Sequence, residues 1–280
     1  ILRADGTEKS RLSLQKEKMQ EEKRMDRKIE AVIFDWAGTT VDYGCFAPVQ
    51  AFLEVFREAG IEPEIDEVRE PMGMLKREHI HTMLHMPRIR NLWREKYGRE
   101  PEREDTDALY ARFEPALLKI LDRFSDLKPY VAETVQALRE RNIRVGSTTG
   151  YTDIMMDRVV PRAAEQGYAP DCWYSPDSVG GMGRPYPYMI FRNMERLQIA
   201  SVASVMKVGD TVSDIREGKN AGVFTVGILE GSSALGLSES EYRALPEGKK
   251  QELLKNTEDK FLRAGADAVV KDIRGILEYL

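Results

Sequence analysis

The chain has 280 residues, 42% hydrophobic and 32% charged, with a net charge of -5. That is enough chain for a sizeable core and an ordinary globular composition, with no basic surplus for nucleic acid. Two cysteines leave no disulfide framework and point to a reducing compartment, and no apolar run approaches the ~20 residues of a membrane-spanning helix; the expectation is a cytoplasmic protein with neither nucleic-acid nor membrane partners.

Residues 1–24 are dense in Lys, Arg, Glu and Gln without the apolar stretch of a secretory leader. They read as a charged N-terminal extension with no catalytic role, and Met25-Asp26-Arg27-Lys28 makes a natural chain start. The run Ala31-Val-Ile-Phe34 then has the texture of a buried parallel strand, ending in Asp35 where a sheet's C-terminal edge presents its ligands. From Tyr43 to about Ser125 no buried strand is legible. Helical spacing recurs instead over Val49–Arg57, through Lys76, His79 and His81, over Ile89–Tyr97 with Pro87 as an interruption, and over Asp107–Phe124. Beyond Pro129, helix and strand alternate. Strands are predicted over Ile143–Ser147, Asp171–Tyr174, Val205–Val208, Phe224–Leu229 and Ala268–Val270. Helices are predicted over Val131–Arg141, Ile154–Gln166, Pro185–Leu197 and Ile215–Ala221, with a last one at the C-terminus. A small helix around Ser232–Leu254 reads as surface decoration. This is the pattern of a doubly wound parallel α/β sheet, its core formed by residues 25–43 and 126–280, with residues 44–125 inserted as a helical cap.

Three predicted strands end in polar clusters: Asp35, then Ser147-Thr148-Thr149, then Asp210 with Asp214 one helical turn later. Gly183-Arg184-Pro185 places a cation at the start of a helix between the last two. Each Asp taken singly is equally a helix cap. Carboxylates gathered on one rim repel unless they share a cation, and oxygen ligands favour a hard one such as Mg²⁺; hydroxyls, amides and an Arg beside them make a phosphate cradle.

These four elements resemble the motifs of the haloacid dehalogenase (HAD) superfamily. The resemblance implies Asp35 as nucleophile, Thr149 and Arg184 on the phosphoryl group, and Mg²⁺ held by Asp35, Asp210 and Asp214, with the backbone carbonyl of Ala37. Ala37 stands where phosphatases of that superfamily carry an acid for the leaving alcohol, which argues against ordinary ester hydrolysis. Lys76 opens a helix beside Met72, Met74 and Leu75, with His79 one turn on. A lysine on a helix commonly points to water, but one shielded by apolar neighbours can attack an aldehyde as a neutral amine. The string Asp35 to Cys45, Pro71-Met72-Gly73 with Lys76 and His79, Gly146 to Tyr151, and Gly183 to Pro187 together resemble the phosphonoacetaldehyde hydrolase (phosphonatase) family. That resemblance implies hydrolysis of the P–C bond of phosphonoacetaldehyde in 2-aminoethylphosphonate degradation, a Schiff base on Lys76, and His79 assisting proton transfer. It also implies Met72, Tyr151 and Cys45 as site-lining residues and a homodimer. The alternatives are a HAD-type phosphatase or phosphomutase acting on a small phosphate ester, and a non-catalytic binding module.

Overall fold

A computed structural model of the chain describes residues 28–280; the charged extension 1–24 lies outside the described residues. Strand β1 (Ala31–Phe34) is buried at every position because parallel neighbours flank it on both sides, β2 (Arg144–Thr148) and β4 (Val205–Gly209). The sheet continues outward to β3 (Cys172–Tyr174) past β2, and to β5 (Phe224–Ile228) and β6 (Ala268–Val270) past β4, giving the order β3-β2-β1-β4-β5-β6 with every pairing parallel. Alternate side chains of β1 enter different packing clusters. Val32 and Phe34 join the large core with Val145, Val208 and Val226, whereas Ala31 and Ile33 pack with Ile190, Leu197, Val205 and Val223. Both faces are therefore apolar, which is why the strand shows no alternation in sequence. The chain order turns back at β1, so the open edge beyond Phe34 is the switch point where such sheets hold ligands.

Five helices intervene between β1 and the first helix of the returning chain: α1 (Phe46–Glu58), α2 (Ile65–Arg69), α3 (Lys76–His85), α4 (Pro87–Tyr97) and α5 (Arg103–Ile120), followed by a 3₁₀ turn at Leu121–Phe124. Asp42 starts α1, its two carboxylate oxygens accepting the Phe46 and Ala47 amides at 2.9 Å each. Phe52 of α1 stacks between Phe113 of α5 and His79 of α3, with ring centroids 4.3 and 3.8 Å away. The two connections run side by side, Asp42 N–H donating to Asp126 O at 3.2 Å and Lys128 N–H to Thr40 O at 2.9 Å. The insert therefore leaves and rejoins at the C-terminal edge of β1.

The remaining helices are α6 (Val131–Glu140), α7 (Asp153–Glu165), α8 (Tyr188–Leu197), α9 (Val212–Ala221), α10 (Glu239–Ala244) and α11 (Glu247–Ala264). Four features differ from the sequence reading. Pro87 begins α4 rather than interrupting it, since a first-turn proline forfeits no helical hydrogen bond. α8 begins at Tyr188, leaving Arg184 in a loop, because Pro185 and Pro187 bias the residues before them away from helix. The segment after Ser232 is no decoration: α11 runs 18 residues and buries Phe261 completely against Ile215 and Leu229. The C-terminal segment Ile273–Tyr279 is 3₁₀ rather than α-helical.

Candidate active site

Asp35 follows β1 directly, its N–H donating to Val208 O of β4 at 2.9 Å. The chain then folds tightly, with Trp36 O accepting the amides of Thr39, Thr40 and Val41. Gly38 has φ +91°, and a Cβ there would run into the Asp210 carboxylate, so the turn admits no side chain. Thr39 Oγ1 donates to Asp210 Oδ1 at 2.9 Å, and Ser233 N–H donates to Asp210 Oδ2 at 2.7 Å. Asp214 lies in the capping box of α9, where Thr211 Oγ1 donates to its Oδ2 at 2.6 Å. Asp35, Asp210 and Asp214 are all buried, each offering a carboxylate oxygen within 4.8 Å of the others.

Electrostatics separates the three. Burial, reinforced by Asp214, raises the pKa of Asp35 against the opposing pull of Arg184. Burial and the charges of Asp35 and Asp214 push Asp210 well above the carboxylate range. Asp214 is held low in spite of its burial, because Arg184 Nη2 and Lys207 Nζ each lie 3.1 Å from its Oδ1. Three buried carboxylates of which two resist ionisation make an oxygen donor set that fits a hard divalent cation.

Arg184 is the hub of the floor. Nη2 donates to Asp35 Oδ1 at 2.6 Å and to Thr148 Oγ1 at 2.8 Å, and Nε donates to Glu217 Oε2 at 3.0 Å. Lys207 Nζ donates to the same Thr148 hydroxyl at 2.7 Å and pairs with Glu217 at 3.2 Å. Lys207 and Glu217 escaped the sequence reading, although a lysine inside an otherwise apolar strand and a glutamate in the buried stripe of α9 were visible signals. Lys128 escaped it as well: its buried Nζ donates to the carbonyls of Gly38 and Glu230.

Above this floor the cavity wall combines Asp35, Ala37, Thr149, Tyr151 and Arg184 with Cys45, Met72, Gly73 and Lys76 from the insert and its connection. Lys76 is the first residue of α3, 6% exposed, with Nζ 5.2 Å from the centre of the Tyr151 ring. Burial lowers its pKa, and the nearby Arg184 charge adds to the effect. Cys45 is sealed, and burial together with Asp42 raises its thiol pKa, so it serves as wall rather than nucleophile. Thr149 Oγ1 accepts the Tyr151 amide at 3.0 Å. His79 is fully buried behind Lys76 and does not line the cavity. Its Nε2–H donates to Val68 O at 2.8 Å, while Nδ1 has no protein partner among the described residues. Burial and the Lys76 charge drive its pKa well down, so the imidazole is neutral. Of the residues singled out by sequence, eight line the cavity; Asp210 and Asp214 lie beneath it, and His79 behind it.

Residues 29–222 match the model of the haloacid dehalogenase-like hydrolase family. The chain is 50% identical over 249 residues to a phosphonoacetaldehyde hydrolase of Lysinibacillus sphaericus, covering 89% of this chain and 93% of the relative. It is 44% identical over 256 residues to a phosphonoacetaldehyde hydrolase of Bacillus cereus, covering 90% and 97%. Among solved structures, a phosphonoacetaldehyde hydrolase-like protein from Oleispira antarctica superposes with a TM-score of 0.86 at 37% identity, covering 90% of this chain and 92% of that one.

Proposed function

Because the chain belongs to the phosphonoacetaldehyde hydrolases within the haloacid dehalogenase-like family, we propose that it cleaves the P–C bond of phosphonoacetaldehyde, releasing acetaldehyde and phosphate. The observation that carries this reading is the wall facing Asp35: Ala37 brings no proton donor, and Lys76 brings a buried amine. An alkoxide leaving group would find no acid at Ala37, which disfavours a phosphate ester as substrate.

In the mechanism the depressed pKa of Lys76 makes a neutral amine available to attack the aldehyde carbon, expelling water and leaving an iminium. Asp35, oriented by Arg184 through the 2.6 Å bond, attacks phosphorus in line. As the P–C bond breaks, its electron pair moves into the iminium and gives an enamine on Lys76. Protonation at carbon and hydrolysis then release acetaldehyde and restore the amine. Water cleaves the aspartyl-phosphate, and Thr149 and Arg184 bind the phosphoryl oxygens throughout. His79, buried one turn on from Lys76, assists proton transfer at the amine. Mg²⁺ held by Asp35, Asp210, Asp214 and the Ala37 carbonyl would neutralise charge on the phosphonate when bound.

Residues 44–125 act as a cap over a core of residues 25–43 and 126–280, and the working form is a cytoplasmic homodimer. Borohydride added with phosphonoacetaldehyde is expected to leave a secondary amine on Lys76, absent in Lys76→Arg, which also loses phosphate release. A wild-type protein that turns over substrate yet gives no adduct would overturn the Schiff-base route.

A further inference from the structure

We propose that Arg69 is a positioning residue, a clasp that couples seating of the inserted helices to the setting of Asp210. It closes α2 and is half-buried at the seam between the insert and the sheet. Its Nη1 donates to Gly44 O at 2.8 Å, in the connection leading into the insert, and to Ser233 O at 3.2 Å, in the loop after β5. Both acceptors belong to segments already committed to the site: Gly44 N–H donates to Gly231 O at 2.8 Å, and Ser233 N–H donates to Asp210 Oδ2 at 2.7 Å. On the other side, Val68 O accepts from His79, so the residue preceding Arg69 anchors the helix that begins at Lys76. One guanidinium thus joins the element that aims the amine to the loop that fixes the carboxylate.

The surroundings keep room for it. Gly236 has φ +70°, and a Cβ there would come within 2.8 Å of Arg69 Nε, while the Phe46 ring lies under the guanidinium with its centroid 4.9 Å away. One of Arg69's two hydrogen bonds is long, and Nε and Nη2 find no protein partner among the described residues.

The proposal rests on Lys76 and the Asp35–Asp210 floor serving one substrate, and the test separates it from that reading. Acetaldehyde with borohydride reports Lys76 reactivity without any phosphorus chemistry, and magnesium chloride perturbs only the carboxylate floor. In wild type, Mg²⁺ is expected to change the trapped yield, and kcat/KM for phosphonoacetaldehyde is expected to fall about tenfold or more in Arg69→Met. In that variant the metal-free adduct level persists and its response to Mg²⁺ disappears, while Arg69→Lys, which keeps one donor, restores part of the response. A destabilised fold would lower the adduct level itself; an unchanged Mg²⁺ response in Arg69→Met would overturn the clasp. Should wild type form no adduct, the Lys76 reading fails, and hydrogen exchange at the Ser233 amide still decides: lost protection in Arg69→Met supports the clasp, and retained protection sinks it.

Discussion

Asp42 gives both its oxygens to the start of α1 from a position that is 4% exposed. Burial pushes its pKa up to about 7, against partial relief from the two amides and from Arg69 and Lys128. The unfolded carboxyl loses its proton near the usual value of 3.8, so folding takes up a proton between there and about 7. This residue's contribution therefore favours folding most at the acidic end of that window and declines as pH rises through it. Asp42→Asn, which cannot ionise, is expected to lose less stability than wild type between pH 5 and pH 8 in denaturant titrations. It should cost about 1 kcal/mol through the weakened cap. An equal loss in both proteins would refute the assignment. At this scale the sequence was informative where a residue departs from a pattern, as Ala37 does. It was silent where roles emerge only from contacts across the sheet, as with Lys128, whose amine reaches carbonyls on either side of the site.

The join between α2 and α3 is tighter than any helix boundary suggests. Gly73 has φ +88°, and a Cβ there would overlap Thr211 Oγ1 and approach Ser213 Cβ to 2.7 Å. Gly73→Ala thus strains the backbone and wedges the insert away from the N-terminus of α9. The expected result is a folded protein with normal far-UV circular dichroism whose kcat/KM for phosphonoacetaldehyde falls at least about tenfold, as sub-ångström misplacement of Lys76 would cause; unimpaired turnover would show that the contact is idle. Elements with a one-sided apolar stripe were legible from spacing alone, α1 with Phe52 and Phe56 among them. The loop carrying Arg184 was not, because a helical stripe does not reveal where prolines delay its start. α11 was hidden for a different reason: Phe261 and the exposed Leu262 sit side by side in a run dense in charge, and only the groove over Gly227, where a Cβ would sit 2.5 Å from the Phe261 ring, shows which of the two is core.

Across the whole molecule the carboxylate floor is a source of instability that a bound cation would relieve. Mg²⁺ at a hundredfold excess over its Kd is expected to add about 2.7 kcal/mol, or roughly 5–10 °C in Tm for a chain of this size. Asp210→Asn should melt above wild type in EDTA, since it removes one of the repelling groups, and should lose the Mg²⁺ increment. A variant that kept the full increment would exclude Asp210 as a ligand. The doubly wound sheet and the interposed helices could be read from the order of strand and helix patterns, because each βα unit carries its own local signal. The lateral order of the strands could not, and it has a consequence for how the protein is made. β1 pairs with β2 through Ala31↔Arg144 and with β4 through Ala31↔Val205. The strand that carries Asp35 is thus the first of the six to be synthesised but gains its second neighbour only when β4 is made, after the inserted helices, β2 and β3. Until then no shorter chain can bring Asp210 and Asp214 beside Asp35, so the carboxylate triad, and with it reactivity toward phosphorus, waits for the far half of the sheet.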